Sequence, residues 1–193
     1  MNFRRSMERR SCGAGYASPV PRVDGLRMID SDSRERRRER ATWTAELLDL
    51  EAGRMPFPVL DRDAIRVLLA TRPRVAVVGA SPNPTRPSHG VLVDLVGLGY
   101  DCVPVNPSAE EVAGIRCYPT VAAAVEATGP VDIVDVFRLP PACPEHAREA
   151  VAVGAKVLWL QLGIASREAG EIAAAGGLSI VMNKCLAVEA ARA

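Results

Sequence analysis

The chain has 193 residues, of which 48% are hydrophobic, and its formal net charge is +1 at pH 7. This length favours one main domain whose core needs no disulfide or metal to hold it together. No apolar stretch approaches the length that crosses a bilayer, and charged residues occupy the N-terminus where a signal peptide has its apolar segment. We therefore expect a cytoplasmic protein with no membrane partner.

The cysteines are scattered along the chain and show no two-residue spacing. This pattern predicts neither a disulfide framework nor a zinc site, so we expect reduced thiols and no bound metal. The five positions are Cys12, Cys102, Cys117, Cys143 and Cys185.

Residues 1–45 form an Arg-rich segment with few large apolar side chains. Residues 1–40 hold 11 Arg against 6 Asp and Glu, an excess of five positive charges. The composition predicts a mostly disordered extension, whose last part could be a charged helix leading into Trp43. Because acids interleave with the arginines, and the remaining residues have no overall basic excess, we do not expect a nucleic-acid partner.

Residues 46–193 alternate between strand and helix patterns and are predicted to form the folded domain. Short apolar runs rich in Val, Ile and Leu are typical of strands buried on both faces of a parallel sheet. They occur at 75–78, 100–107, 131–137, 156–161 and 178–183. The alternation predicts an α/β fold, a Rossmann-like doubly wound sheet of about five parallel strands in three layers. Ligands bind such sheets at the carboxyl ends of the strands.

The run at 75–78 opens into a loop at 79–86 and then into a helical pattern that begins at Pro87. Proline is tolerated in a first helical turn because its missing N–H would have no intrahelical partner. Free N–H groups and the positive end of the helix macrodipole favour an anion there. We predict a phosphate site, to which these residues contribute: Gly79, Ala80, Ser81, Asn83 and Arg86.

The other predicted strand ends carry hydrogen-bond donors and cations, with hardly a carboxylate among them. A lining of this kind suits a phosphate-rich ligand, and a nucleotide is the obvious candidate. We predict that it includes Asn106, Arg138, Gln161, Gly163, Lys184 and Cys185. Two alternatives stay open, because Arg86 could form a surface ion pair and Arg138 could brace the edge of the sheet.

An NAD(P)-dependent enzyme on the same fold is the second hypothesis. An NAD site usually has a Gly-x-Gly-x-x-Gly turn and an acid at the end of the second strand. Here that strand ends in Asn106, and the turn reads Gly-Ala-Ser-Pro-Asn-Pro at 79–84. Neither His89 nor His146 belongs to a visible motif with a nucleophile, so the sequence predicts no catalytic residues and favours a binding module.

Five runs resemble the small stand-alone CoA-binding proteins, which are similar to the CoA-binding domain of the succinyl-CoA ligase alpha subunit. The runs are Val-Val-Gly-Ala-Ser-Pro-Asn-Pro-Thr-Arg-Pro-Ser at 77–88, Val-Pro-Val-Asn-Pro at 103–107, Val-Asp-Ile-Val-Asp-Val-Phe-Arg at 131–138, Gly-Ala-Lys-Val-Leu-Trp-Leu-Gln-Leu-Gly at 154–163 and Val-Met-Asn-Lys-Cys at 181–185. The resemblance covers residues 59–189 in order.

The resemblance implies a Rossmann-like fold that binds coenzyme A (CoA) or an acyl-CoA. It places the CoA phosphates on the 79–86 loop, Asn106 at the adenosine end, and Arg138 and Gln161 along the groove. The closing segment departs from the family pattern of Asp-Arg-Cys followed by a Glu-His pair. This chain has Asn-Lys-Cys at 183–185 and Glu-Ala at 189–190.

The sequence leaves several matters open. The chain could instead be the CoA-binding subunit of an acyl-CoA ligase assembly that acts with a separate ATP-grasp partner. Cys185 follows the cationic Lys184 at a strand end, so a mixed disulfide between Cys185 and CoA is a further hypothesis. The sequence determines neither the acyl group nor whether the chain forms a homodimer.

Overall fold

The computed structural model describes the backbone of residues 26–193 and the side chains of residues 36–193. Residues 1–25 lie outside the described residues, so the disorder predicted there stays a prediction. A helix, α1, runs from Leu26 to Glu51, and it includes the charged helix that leads into Trp43. The predicted domain boundary at residue 45 falls inside this helix and stays a prediction. Residues 38–193 form a compact unit. No described helix has the length and apolar character to span a membrane.

Strands and helices alternate along the unit as the sequence predicts. In chain order they are α2 (Arg62–Ala70), β1 (Val75–Val78), α3 (Pro87–Gly97), β2 (Cys102–Val105), β3 (Glu111–Val112), β4 (Ile115–Arg116), α4 (Val121–Thr128), β5 (Ile133–Val136), a 3₁₀ turn (Pro140–Ala142), α5 (Cys143–Ala152), β6 (Val157–Leu160), α6 (Arg167–Ala175), β7 (Ser179–Val181) and α7 (Leu186–Ala190).

The main sheet has five strands in the order β2-β1-β5-β6-β7, and every pairing is parallel. This is the doubly wound arrangement that the sequence predicts. The chain moves outward from β1 to β2 and then returns to β5 on the other side of β1. The strand order therefore reverses between β1 and β5, which is where such sheets open a ligand crevice. The short strands β3 and β4 form a separate antiparallel hairpin.

Three helices begin at a residue whose side chain caps the first turn. The side chains of Asp61, Thr120 and Ser166 accept hydrogen bonds from backbone N–H groups in the first turns of α2, α4 and α6, at 2.8, 3.1 and 3.3 Å. The stretch from Pro140 begins as a 3₁₀ turn and continues as α5. The ring of Pro144 would clash with the carbonyl of Pro140 in a continuous α-helix.

The sheet is buried on both faces, which confirms the three-layer arrangement. One face packs against the layer that contains α4, α5 and α6, and the other against α2, α3 and α7. All four residues of β1 are buried. Trp159 in β6 is fully buried, as expected of a core residue, and its Nε1 donates to the backbone oxygen of Lys184 at 2.8 Å.

The segment between α1 and α2 is fastened to the domain by Phe57. Its ring lies directly against Gly170 in α6, and a Cβ at position 170 would stand 2.0 Å from Cζ of the ring. Phe57 is 8% exposed, so the ring has little room to move. The absence of a side chain at Gly170 is therefore a packing requirement.

Gly170→Ala is expected to lower the free energy of unfolding by roughly 1–3 kcal/mol, because the new methyl must displace the Phe57 ring. Gly90→Ala in α3 is the matched control, since nothing lies within 4 Å of a Cβ built there. That variant should be stabilised by up to about 1 kcal/mol through helix propensity. Urea unfolding measures both, and equal effects of the two substitutions would contradict the packing argument.

Candidate functional site

A groove of about 680 Å³ lies at the carboxyl ends of the strands, where the turns after β1, β2, β5 and β6 and the start of α7 converge. The sequence placed eleven residues at a ligand site here, and the structure brings eight of them into the wall of the groove. These are Gly79, Ser81, Arg86, Asn106, Arg138, Gln161, Gly163 and Cys185. Ala80, Asn83 and Lys184 are not part of the wall.

Gly79 allows the turns after β1 and β5 to approach each other closely. Its φ is +82°, and a Cβ built on it would lie 2.9 Å from the carbonyl oxygen of Phe137 and 3.2 Å from Cδ of Arg138. Its N–H donates to the carbonyl of Val105 at 2.8 Å. Both the backbone conformation and the space therefore require glycine at this position.

The loop after β1 is held by its own side chains. Ser81 Oγ accepts from the N–H of Asn83 at 3.2 Å, and Asn83 Oδ1 accepts from the N–H and hydroxyl of Thr85 at 3.0 and 2.9 Å. His89 Nδ1 lies 2.9 Å from the carbonyl oxygen of Ser81 and ties α3 to the loop. Asn83 thus shapes the loop, which explains why it is absent from the groove wall.

The loop after β1 and the start of α3 add donors to the groove wall. Ser81 lines the groove, and within the described part of the chain its N–H forms no hydrogen bond. Ser88 lines the groove at the second position of α3 and is 5% exposed. The sequence prediction missed Ser88, although a hydroxyl in the first turn of a helix that follows a phosphate-type loop is a readable signal.

Two arginines give the groove its charge. Arg86 and Arg138 are both exposed and line the groove, and neither guanidinium forms a hydrogen bond or ion pair with another described residue. The surface ion pair left open for Arg86 is not found within that part of the chain, whereas the stem of Arg138 lies close to Gly79 at the end of β1. No carboxylate belongs to the groove wall formed by the described residues. The groove therefore favours an anion.

Asn106 joins the turns after β1 and β2. Its Nδ2 donates to the carbonyl of Ala80 at 2.7 Å, and its Oδ1 accepts from the N–H of Ser108 at 2.9 Å. Both polar ends of the side chain are therefore engaged within the protein. Ala80 is fully buried behind this contact, which explains why it is absent from the groove wall.

A buried acid lies under the groove. Gln161 Nε2 donates to both carboxyl oxygens of Asp135, at 2.8 and 2.9 Å. Asp135 is fully buried, and this burial raises its pKa to about 8, while the hydrogen bond from Gln161 acts in the opposite direction. The sequence analysis missed Asp135, although a single acid inside the apolar run at 131–137 is a visible signal.

Asp135 also orients Gln161. Because Nε2 is held by the carboxyl group, Oε1 is the atom of Gln161 left to accept a hydrogen bond. Within the described residues, every fully buried side-chain nitrogen or oxygen has a hydrogen-bond partner. Oε1 of Gln161 has no partner there, so this atom is not fully buried. Since Gln161 is 4% exposed and lines the groove, Oε1 must be open to it.

The turns after β6 and β7 are tied to each other at the other end of the groove. The N–H of Gly163 donates to Asn183 Oδ1 at 2.8 Å, and the N–H of Asn183 donates to the carbonyl of Ile164 at 3.1 Å. Lys184 contributes its backbone oxygen to Trp159 and does not line the groove. Cys185 lines the groove and is half-buried, whereas the other three described cysteines are buried; all four are free thiols.

The structure adds apolar residues that the sequence did not assign to the site. They had no local signal, because a Leu or Ile in a turn has no pattern of its own, and the tryptophan lies in the segment predicted as an extension. These residues are Trp43, Val91, Phe137, Leu139, Leu162 and Ile164.

Comparison with known proteins matches residues 73–191 to a family described as a CoA binding domain. An uncharacterized protein of Bacillus subtilis (strain 168), YneT, is 36% identical over 124 residues, which are 64% of this chain and 90% of YneT. The solved structure of a hypothetical protein from Pyrococcus horikoshii OT3 is 40% identical. The two structures superpose with a TM-score of 0.65, and the match covers 69% of this chain and 92% of the Pyrococcus protein.

A much longer protein also matches part of this chain. The ADP-forming acetate–CoA ligase I of Archaeoglobus fulgidus is 30% identical over 119 residues. The match takes in 58% of this chain and 17% of the ligase. The similarity therefore concerns one part of that enzyme.

Asp135→Asn is expected to remove a pH dependence of stability. Asp135 in the folded chain keeps its proton up to about pH 8, whereas in the unfolded chain it loses it near the ordinary value of 3.8. Because the folded state binds more protons between these values, wild-type stability should fall as the pH rises through this window. The asparagine variant should lack this fall and gain on the order of a few kcal/mol over wild type near pH 9.

Urea unfolding of wild type and Asp135→Asn at about pH 5, 7 and 9 measures the difference between their free energies of unfolding. The contributions of the other titrating groups cancel in this difference, because both proteins contain them. A wild-type-to-variant difference that stays constant across this range would contradict a protonated Asp135.

Proposed function

Because residues 73–191 place the chain in the CoA-binding domain family, we propose that the groove binds coenzyme A. The observation that carries the proposal is the pair of guanidinium groups, Arg86 and Arg138, in a groove whose described wall has no carboxylate. CoA carries a pyrophosphate and a further phosphate on its ribose. It therefore presents several negative charges to a site of this kind.

The loop after β1 would hold the phosphates. The N–H of Ser81, the hydroxyl of Ser88 and the guanidinium of Arg86 are donors near the start of α3, where the macrodipole also favours negative charge. Asn106 replaces the acid that an NAD site uses at the end of the second strand, so no carboxylate would repel a ribose phosphate there.

The middle of the groove would hold the pantetheine arm. This arm contains amide N–H groups, and Gln161 Oε1 is an acceptor held in a fixed position by Asp135. Arg138, across the close contact with Gly79, supplies a second cation next to the phosphate loop. The roles assigned to these residues are binding roles, and the proposal assigns no catalytic step.

A second candidate is a CoA-binding subunit of a larger acyl-CoA ligase assembly. The similarity to part of the Archaeoglobus fulgidus acetate–CoA ligase favours it. The remaining functions of such an assembly would come from a separate protein. Affinity purification of the tagged chain from its native host should then retain a partner with an ATP-grasp domain, and recovery of the chain without one would contradict this candidate.

Arg86→Ala and Arg138→Ala are each expected to weaken CoA binding by about tenfold. A hydrogen bond to a charged group contributes roughly 1.5–3 kcal/mol, and about 1.4 kcal/mol is a factor of ten in affinity. Isothermal titration calorimetry of CoA measures the change. Arg86→Lys should fall in between, because it keeps the charge but loses the two-pronged geometry.

Arg66→Ala is the matched control, since it removes the same charge from α2 at a side chain that is 57% exposed and does not line the groove. Its CoA affinity should equal that of wild type. The proposal is wrong if wild type does not bind CoA, or if it binds NADH or NADPH more tightly than CoA.

A further inference from the structure

The groove has two chemically different ends. The wall formed by the turns after β1 and β2 and the start of α3 carries Ser81, Arg86, Ser88 and Asn106. The wall formed by the turns after β5 and β6 carries large apolar side chains in addition to Arg138 and Gln161. Leu139 and Leu162 are 66% and 69% exposed.

These leucines are unusual for the protein surface. They belong to only seven large hydrophobic residues that are exposed in the described part of the chain, and both line the same groove. Single exposed leucines need no explanation, but two beside a tryptophan and an isoleucine form an apolar patch. Trp43 and Ile164, both half-buried, complete this patch. We call the four residues, Trp43, Leu139, Leu162 and Ile164, the apolar rim.

Trp43 reaches the groove because the second half of α1 is fixed to the domain. Glu46 Oε1 accepts from the backbone N–H of Arg167 at 3.2 Å, and Asp49 pairs with the guanidinium of Arg167 at 2.9 Å. Leu47 and Leu50 pack against the core. Positions 43, 46, 47 and 50 share one helical face, so the contacts that fasten α1 also place Trp43 at the groove.

Trp43 lies outside the part of the chain that matches the CoA-binding family, which begins at residue 73. The apolar rim therefore combines three residues of the family domain with one residue from a helix that precedes it. From β2 to β6 the sheet crosses three strand spacings, roughly 14 Å, so a ligand that touches both ends of the groove must be long.

We propose that the ligand is a CoA thioester with an apolar acyl chain, and that Trp43 is a specificity-determining residue that contacts this chain. This inference rests on the proposed CoA binding. The phosphates would occupy the polar end, the pantetheine arm would cross the middle, and the acyl chain would cover the apolar rim. Free CoA would leave the rim in water, so an apolar acyl group adds binding energy that CoA alone lacks.

Calorimetric titration of the full-length chain with CoA and with acetyl-, butyryl-, hexanoyl- and octanoyl-CoA tests the inference. Wild-type affinity is expected to rise with chain length, by up to about fourfold for each buried methylene. Trp43→Ala should flatten this series, measured as the ratio of the octanoyl-CoA affinity to the free-CoA affinity of the same variant. Trp43→Phe should restore most of the chain-length dependence, because it keeps an aromatic surface.

Leu48→Ala is the matched control on α1, since Leu48 is 55% exposed and does not line the groove. It should keep the wild-type series. Leu162→Ser tests the apolar rim without changing α1, because Leu162 lies in the turn after β6. It should flatten the series in the same way as Trp43→Ala.

The outcomes separate this inference from the proposed function. If wild type binds CoA but its affinity does not rise with chain length, or if Trp43→Ala keeps the full rise, the inference is wrong while CoA binding stands. If wild type binds neither CoA nor any thioester, both are wrong.

Tryptophan fluorescence gives a second readout. The described residues hold Trp43 at the groove and Trp159 fully buried in the sheet. Octanoyl-CoA should shift the emission to shorter wavelength in wild type, and Trp43→Phe should abolish this shift. If Trp43→Phe showed an emission shift of the same size, the shift would come from Trp159. This result would contradict direct contact between the acyl chain and Trp43.

Discussion

The close approach of Gly79 to the turn after β5 is the constraint on which the groove depends. The strand order reverses between β1 and β5, so the turns that leave these two strands must separate around a crevice. They still touch at its base, where a Cβ on Gly79 would lie 2.9 Å from the Phe137 carbonyl. This contact sets Arg138 beside the loop that carries Arg86, and so gathers two positive charges that lie far apart in the chain.

The buried pair of Asp135 and Gln161 fits this electrostatic arrangement. An ionised carboxylate beneath the groove would oppose the two arginines. Burial instead raises the pKa of Asp135 to about 8, so the group adds little negative charge at neutral pH. Its hydrogen bonds to Gln161 then serve to orient the amide. A neutral Asp135 thus leaves the charge of the groove to the two arginines.

Helix α1 links the segment outside the family match to the groove. The sequence assigned residues up to 45 to an extension, because their charge and small apolar content give no sign of packing. The last turns of α1 nevertheless pack on the core through Leu47 and Leu50 and bond to Arg167. As a result, a residue that composition placed outside the domain becomes part of the groove wall.

The five parallel strands and the collection of eight wall residues at one edge could be predicted from the amino-acid sequence. These follow from local periodicity and from the rule that parallel strands present their carboxyl ends on the same side. The folded structure was needed to show that Asn83 turns into its own loop, that Asp135 holds Gln161, and that Trp43 lines the groove. Such features depend on contacts between residues far apart in the chain, as between Glu46 and Arg167, and on the direction in which each side chain points, which no local pattern encodes.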